Sequence, residues 1–102
     1  MAPHDEVERE LQRVVDRLTS MPLAKAVQSQ QACLTAGEVL LRETRRIDPD
    51  VPDAPLPTLG PQGLGAMIAV LGRDYLAAAR HHEAVDDAPV VEALVALRRS
   101  LP

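Results

Sequence analysis

Aromatic side chains are almost absent from this 102-residue chain: Tyr75 stands alone, with no phenylalanine and no tryptophan. A core must therefore be built from Leu, Val, Ile, Met and Ala, which leaves little surface for stacking a nucleobase or a flat cofactor. We expect no bound cofactor. Cysteine is equally scarce. Cys33 is the only one, which excludes an internal disulfide and any multi-cysteine zinc site and fits a reducing compartment. Lysine is reduced to Lys25, against ten arginines, a bias expected of a GC-rich bacterial genome. Positive charge is in deficit overall, with a net charge of −4 and a pI near 5.2. A phosphate backbone demands a basic face, so nucleic acid is not the expected partner.

Long apolar runs are missing too. The most apolar stretch, from Leu64 to Gly72, is far shorter than the ~20 residues needed to span a bilayer. The first residues, Met1-Ala2-Pro3-His4-Asp5-Glu6, show no basic stretch followed by an apolar one, so no secretory signal is expected. These features point to a cytoplasmic protein without a membrane partner.

What the chain does carry is a run of prolines between two amphipathic halves. Pro49, Pro52 and Pro55 recur every third residue within Asp48-Pro49-Asp50-Val51-Pro52-Asp53-Ala54-Pro55-Leu56-Pro57, matching the three-residue turn of polyproline II. Asp50 and Asp53 then share a second edge. Leu56 and Leu59 supply apolar anchors for an ordered strut. About 13 residues at ~3.1 Å each can reach ~40 Å, the length of a ~25-residue helix at ~1.5 Å per residue. The connector can therefore cross the molecule and make its flanking helices parallel, or fold back and leave them antiparallel.

Placing residues at ~100° per step predicts four helices, at about 4–20, 22–47, 62–84 and 88–100. In the first, Val7, Leu11, Val14, Val15 and Leu18 share one face. Arg9, Arg13 and Arg17 lie opposite, interleaved with Asp5, Glu6, Glu10 and Asp16, as on a solvated face with internal pairing. Ser20 is placed to cap the second helix, with Met21 and Pro22 in its first turn. Two apolar rows follow: Leu23, Val27, Leu34 and Leu41, then Ala26, Cys33, Leu40 and Ile47. Gln30, Gly37 and Thr44 interrupt them. Arg42, Arg45 and Arg46 suit the negative end of the helix dipole, and Asp48-Pro49 closes the helix.

The third helix places Leu64, Met67, Ile68, Leu71, Tyr75, Ala78, Ala79 and His82 inward, with Ala69, Val70 and Ala77 broadening its apolar surface. In the fourth, Val90, Leu94, Leu97 and Leu101 form the stripe, and Val91 and Val95 add an edge. Short joints predict that helices one and two, and three and four, are antiparallel neighbours. The expected architecture is all-α: one domain over residues 1–102, a four-helix bundle with a long proline-rich connector between helices 2 and 3.

Chemistry-bearing groups are few. His81-His82-Glu83 followed by Asp86-Asp87 is the densest set of metal ligands, with His82 and Asp86 four apart on one helical face. No other stripe completes a site, so no metal is expected. The Glu-x-x-His pairs of di-metal helical proteins do not occur. Gly60-Pro61-Gln62-Gly63-Leu64-Gly65 lacks the Gly-Lys-Ser/Thr ending of a P-loop, and the glycines read as a tight helix entry. Cys33, in an apolar row without a histidine at helical spacing, reads as core rather than nucleophile. Gln30, amid Leu23, Val27 and Leu34, admits three readings: a polar group fixing oligomeric register, a water-bonded amide at the seam edge, or a group orienting a ligand.

The leading expectation is a noncatalytic helical interaction or structural protein that self-associates. Its homodimer interface is expected on helix three with help from helix four: Met67, Val70, Leu71, Val91 and Val95, whose combined apolar surface exceeds what one interior requires. The alternative is a small-ligand-binding module with a pocket near Gln30, Tyr75 and His82. No nucleophile, base and oxyanion group can be paired into a catalytic set, so the chain is not expected to be an enzyme.

Overall fold

The computed structural model describes residues 3–52, 56, 60–82 and 84–102. Among them the chain is all-helical and contains no strand, with four α-helices: α1 (Asp5–Ser20), α2 (Leu23–Ile47), α3 (Leu64–Ala79) and α4 (Ala88–Ser100). A single 3₁₀ turn, Pro61–Gly63, leads into α3. No helix among the described residues is long and apolar enough to cross a membrane.

The predicted apolar stripes account for most of the interior. Val7, Leu11, Val14 and Leu18 of α1 are buried, as are Val90, Leu94 and Leu97 of α4, with Leu101 just beyond. In α2 one of the two expected rows faces inward throughout, and the other does so only in part, with Leu34 packed against the core. Ala26, Cys33 and Leu40 are buried, whereas Leu23 and Val27 are 60% and 52% exposed. Gly37 and Thr44, read as interruptions, lie on the buried side. Thr44 donates its hydroxyl hydrogen to the Leu40 carbonyl (2.7 Å), so its polarity is satisfied within the helix.

Two boundaries differ from expectation. Ser20 does not cap α2; its hydroxyl turns back to the Asp16 carbonyl (2.8 Å). Pro22 takes the cap position with extended backbone, and its carbonyl accepts from Lys25 N and Ala26 N (both 3.0 Å). The third helix stops at Ala79 rather than near residue 84. His81 N and His82 N bond back three residues, to Ala78 O and Ala79 O, the tightening that commonly ends a helix. His82 and Asp86 are therefore not one helical turn apart, and Glu83 lies outside the described residues.

Residue juxtapositions fix the relative directions. Gly65 of α3 faces Leu18 and Thr19 of α1, while Gly72 faces Leu11, so these two helices run antiparallel. A β-carbon at Gly72 would overlap the Leu11 side chain; glycine is what allows this close approach. Gly37 of α2 faces Met67 and Leu71 of α3, and Leu41, Thr44 and Asp48 share a groove with Leu71, Ala78 and His81. Hence α2 and α3 run parallel. His4 meets Asp87 and Arg98 reaches Glu10, so α4 runs with α1.

The expectation that α1 and α2, and α3 and α4, pack as neighbours is overturned. α3 and α4 each pack against both α1 and α2, while α1 barely touches α2 and α3 barely touches α4. A short joint forces reversal of direction but does not force adjacency. Gly65 and Gly72 of α3 receive α1, and Gly37 of α2 receives α3; these close approaches decide the arrangement.

Because α2 and α3 are parallel, the chain between them must return along the molecule. It opens with a turn, Val51 N bonding to Asp48 O (3.1 Å), so Pro49 is a turn residue rather than the first rung of a polyproline ladder. Arg45 Nε ties Val51 O (3.3 Å). Leu56 is half-buried, with its Cδ1 above Gly37. The remaining ladder residues, Asp53, Ala54, Pro55, Pro57 and the anchor Leu59, lie outside the described residues.

Candidate functional site

Where α2 ends, the turn between α3 and α4 closes over it and leaves a cleft of about 510 Å³. That volume falls within the range of small-molecule sites. Tyr75, one turn before the end of α3, reaches its inner wall, and His82 and Asp86 enter from the turn. From α2 come Glu43, Arg46 and Ile47. Val85 and Pro89 complete an apolar side.

The inner wall is held by a polar chain anchored on Asp87. Tyr75 is fully buried, and its hydroxyl donates to Asp87 Oδ1 (2.6 Å). His4 Nδ1 donates to Asp87 Oδ2 (2.5 Å). A carboxylate only accepts, so this bond places the imidazole proton on Nδ1. Among the described residues His4 is the sole non-glycine with positive φ, at 69°, a left-handed conformation costing on the order of 1 kcal/mol. Its bond to Asp87 offsets that strain and fastens the start of α1 to the start of α4. Burial pushes the Tyr75 hydroxyl well above its ordinary value, reinforced by the Asp87 bond and by the charges of Asp87, Glu43 and Asp86. The phenol stays protonated and donating.

Asp87 occupies the α4 N-cap position, yet its side chain caps nothing. Asp86 Oδ1 instead accepts from Ala88 N (2.9 Å). This division of labour frees Asp87 for Tyr75 and His4.

Glu43 is the buried acid of the cleft, its side chain only 5% exposed. Arg42 Nε lies 3.3 Å and Arg46 Nη2 3.5 Å from Glu43 Oε2, and both arginines are themselves mostly exposed. These are long contacts for charge-assisted pairs. Outside the cleft, buried Glu10 accepts from Arg98 Nε (2.9 Å) and Arg13 Nη1 (3.3 Å). The α1 face read as wholly solvated thus contains an inward acid that joins α1 to α4. Among the described residues, every buried side-chain nitrogen and oxygen has a hydrogen-bond partner.

The expected ligand trio is only partly assembled. Tyr75 and His82 share the cleft, although His82 is exposed at its rim rather than packed on an apolar face. Gln30 is elsewhere: it precedes Glu43 by 13 residues on α2, roughly 20 Å along the axis, and is half-buried. Among the interface residues, Met67 is 4% exposed and belongs to the core. Leu71 is half-buried beside Gly37. Val70 is 56% exposed. Val91 and Val95 are half-buried on α4, which does not pack beside α3, so they do not adjoin Val70. Cys33 is fully buried, and burial raises its thiol to about 11, as fits a core residue. Among the described residues no group of three or more His, Cys, Asp or Glu could hold a metal ion.

Sequence reasoning missed His4 and Glu43, placed Asp87 only among possible metal ligands, and read Glu10 as part of a solvated face. For Glu43 a signal existed, since it lies three residues after Leu40 and four before Ile47, on their face. His4 and Asp87 carried none, being 83 residues apart. A second signal was also available. No charged residue occurs from Ala26 to Gly37 or from Gly60 to Gly72, and these two runs are the N-terminal parts of α2 and α3 that lie side by side. No protein-family model, curated protein or solved structure matches this chain.

Proposed function

We propose that this chain is a noncatalytic helical interaction protein of the cytoplasm. In this reading it is a four-helix bundle braced by a proline-rich strut, and it pairs with a second copy of itself. The observation that carries the reading is the exposure of Leu23 and Val27 on α2 and of Val70 on α3, on two helix halves whose single charged residue is Lys25. Depletion of charge, more than bulk hydrophobicity, marks the core of an interface. A neutral surface also meets its own image across a two-fold axis without like-charge repulsion. In this reading the partner surface is built from Val70 of α3 with Leu23 and Val27 of α2, in place of the α3–α4 surface expected from the sequence. Sedimentation equilibrium at micromolar concentration should give twice the 11.0 kDa monomer mass. Val27→Glu combined with Val70→Glu should return it to the monomer. A clean monomer of the unaltered chain over that range overturns the reading.

A second reading is favoured by the cleft at the opposite end: a small-ligand-binding module in which Tyr75 and His82 face one 510 Å³ space. Gln30 has no part in it. The two readings use different ends of the molecule and are compatible in one protein.

A further inference from the structure

We propose that the cleft between the C-terminal part of α2 and the α3–α4 turn takes a small organic cation with an apolar tail, an alkylammonium in the simplest form. This deepens the small-ligand reading above and rests on it.

The polar groups of the cleft are mainly acceptors. Glu43 contributes a carboxylate that is almost entirely buried, and Asp86 a second, nearer solvent. Tyr75 is fully buried and gives its hydroxyl hydrogen to Asp87, so it brings no competing donor to the cleft. A primary ammonium has three N–H donors and no acceptor, the complement of such a set. An anion would have to rely on Arg46 and His82, both exposed at the rim, and would face the buried Glu43.

Size and shape favour an organic cation over a metal ion. Among the described residues no group of three or more His, Cys, Asp or Glu could hold a metal, whereas about 510 Å³ accommodates an amine with its hydrocarbon chain. Ile47, Val85 and Pro89 provide the apolar wall for that chain. Arg46 is then an internal competitor. Its guanidinium stands 3.5 Å from Glu43 Oε2 while its side chain is 71% exposed, a loose pair that an ammonium with better geometry displaces at little cost.

Tyr75, the only aromatic residue, makes the protein's intrinsic fluorescence a reporter of this cleft alone. The test is a titration with n-hexylammonium, hexanol and hexanoate, following that signal with the unaltered protein. Hexylammonium should produce a saturable change at a concentration roughly tenfold below hexanol, as expected for one charge-assisted contact, and hexanoate none. Glu43→Gln should weaken hexylammonium by a similar factor, whereas Arg46→Ala should tighten it several-fold. Arg46 is exposed, so its variant remains informative if Glu43→Gln does not fold. Equal binding of hexanol and hexylammonium, or an Arg46→Ala variant that binds the ammonium more weakly, overturns the cation while leaving the cleft a ligand site. No saturable response to any of the three overturns both.

Discussion

The two ends of this molecule are organised by different physics. Around the N-terminal parts of α2 and α3 there is almost no charge, and cohesion comes from shape. Gly65 and Gly72 admit α1 at close range, and Gly37 admits Leu71 and Leu56. Around the C-terminal part of α2 and the α3–α4 turn, cohesion comes from polar groups: Tyr75, Asp87 and His4 in one chain, and Glu43 with Arg42 and Arg46 beside it. The neutral end leaves apolar side chains in water, which suits association with another apolar surface. The polar end encloses a cleft lined by acceptors, which suits a small donor. Core composition does not separate the two ends, since Leu, Val, Ile, Met and Ala fill both. What separates them is where the buried polar groups were placed.

The largest effect should come from removing Asp87. Asp87→Ala leaves the buried Tyr75 hydroxyl and the His4 imidazole without their partner, and it leaves the strained His4 backbone uncompensated. We expect a loss of about 2–4 kcal/mol in urea unfolding. Tyr75→Phe alone should cost about 1 kcal/mol, and the double variant less than the sum, because both act on one network. Additive losses would show that the polar end is not held by this chain of bonds.

Next in size is a change at the neutral end. Gly72→Leu drives a side chain into Leu11 and should destabilise by about 1–3 kcal/mol, measured in the same way. A neutral or stabilising result would mean that α1 and α3 can separate without penalty, and that shape is not what organises this half.

A smaller effect follows from pH. Burial raises the Cys33 thiol from 9.0 to about 11, and Tyr75 is raised as well. Between the unfolded and folded values the folded state retains a proton that the unfolded chain has released. Stability is therefore complete below the unfolded value and falls as pH rises, by up to about 1.4 kcal/mol per unit for each such group. For Cys33 the window is about pH 9 to about 11. Unfolding midpoints should decline across it, and Cys33→Ala should flatten the decline. An unchanged slope would show that the thiol is not shielded from water.

The smallest effect is expected at the exposed apolar residues of the neutral end. Leu23→Ser and Val27→Ser should alter the stability of the isolated monomer by no more than about 0.5 kcal/mol, because Leu23 and Val27 are more than half exposed. Any loss that grows with protein concentration would come from weakened pairing instead. A concentration-independent loss of several kcal/mol would place these side chains in the monomer's own core and remove the contrast between the two ends.

The helices themselves were legible because helix formation and stripe burial are local matters. The spacing Val7-Leu11-Val14-Leu18 and the spacing Val90-Leu94-Leu97-Leu101 each identify a helix and its inner face without reference to any other segment. Breakers and caps set the ends within a few residues. The exception was α3, whose final turn tightened before His81 although nothing as strong as a proline stood there. The apolar row Leu23-Val27 was misjudged because periodicity gives the direction of a stripe but not which of two adjacent rows meets a neighbour.

By itself, then, the sequence determined an all-helical chain of four segments, a core without aromatic stacking, and the absence of a disulfide. These follow from composition and from a 3.6-residue period. Tertiary structure alone decided that α1 lies apart from α2 and α3 from α4, that α2 and α3 run parallel, that Gln30 stands far from Tyr75, and that His4 meets Asp87. Each of those depends on which surfaces fit one another across long stretches of chain. A helix carries the period of its own stripe, but not the shape of the groove that will receive it.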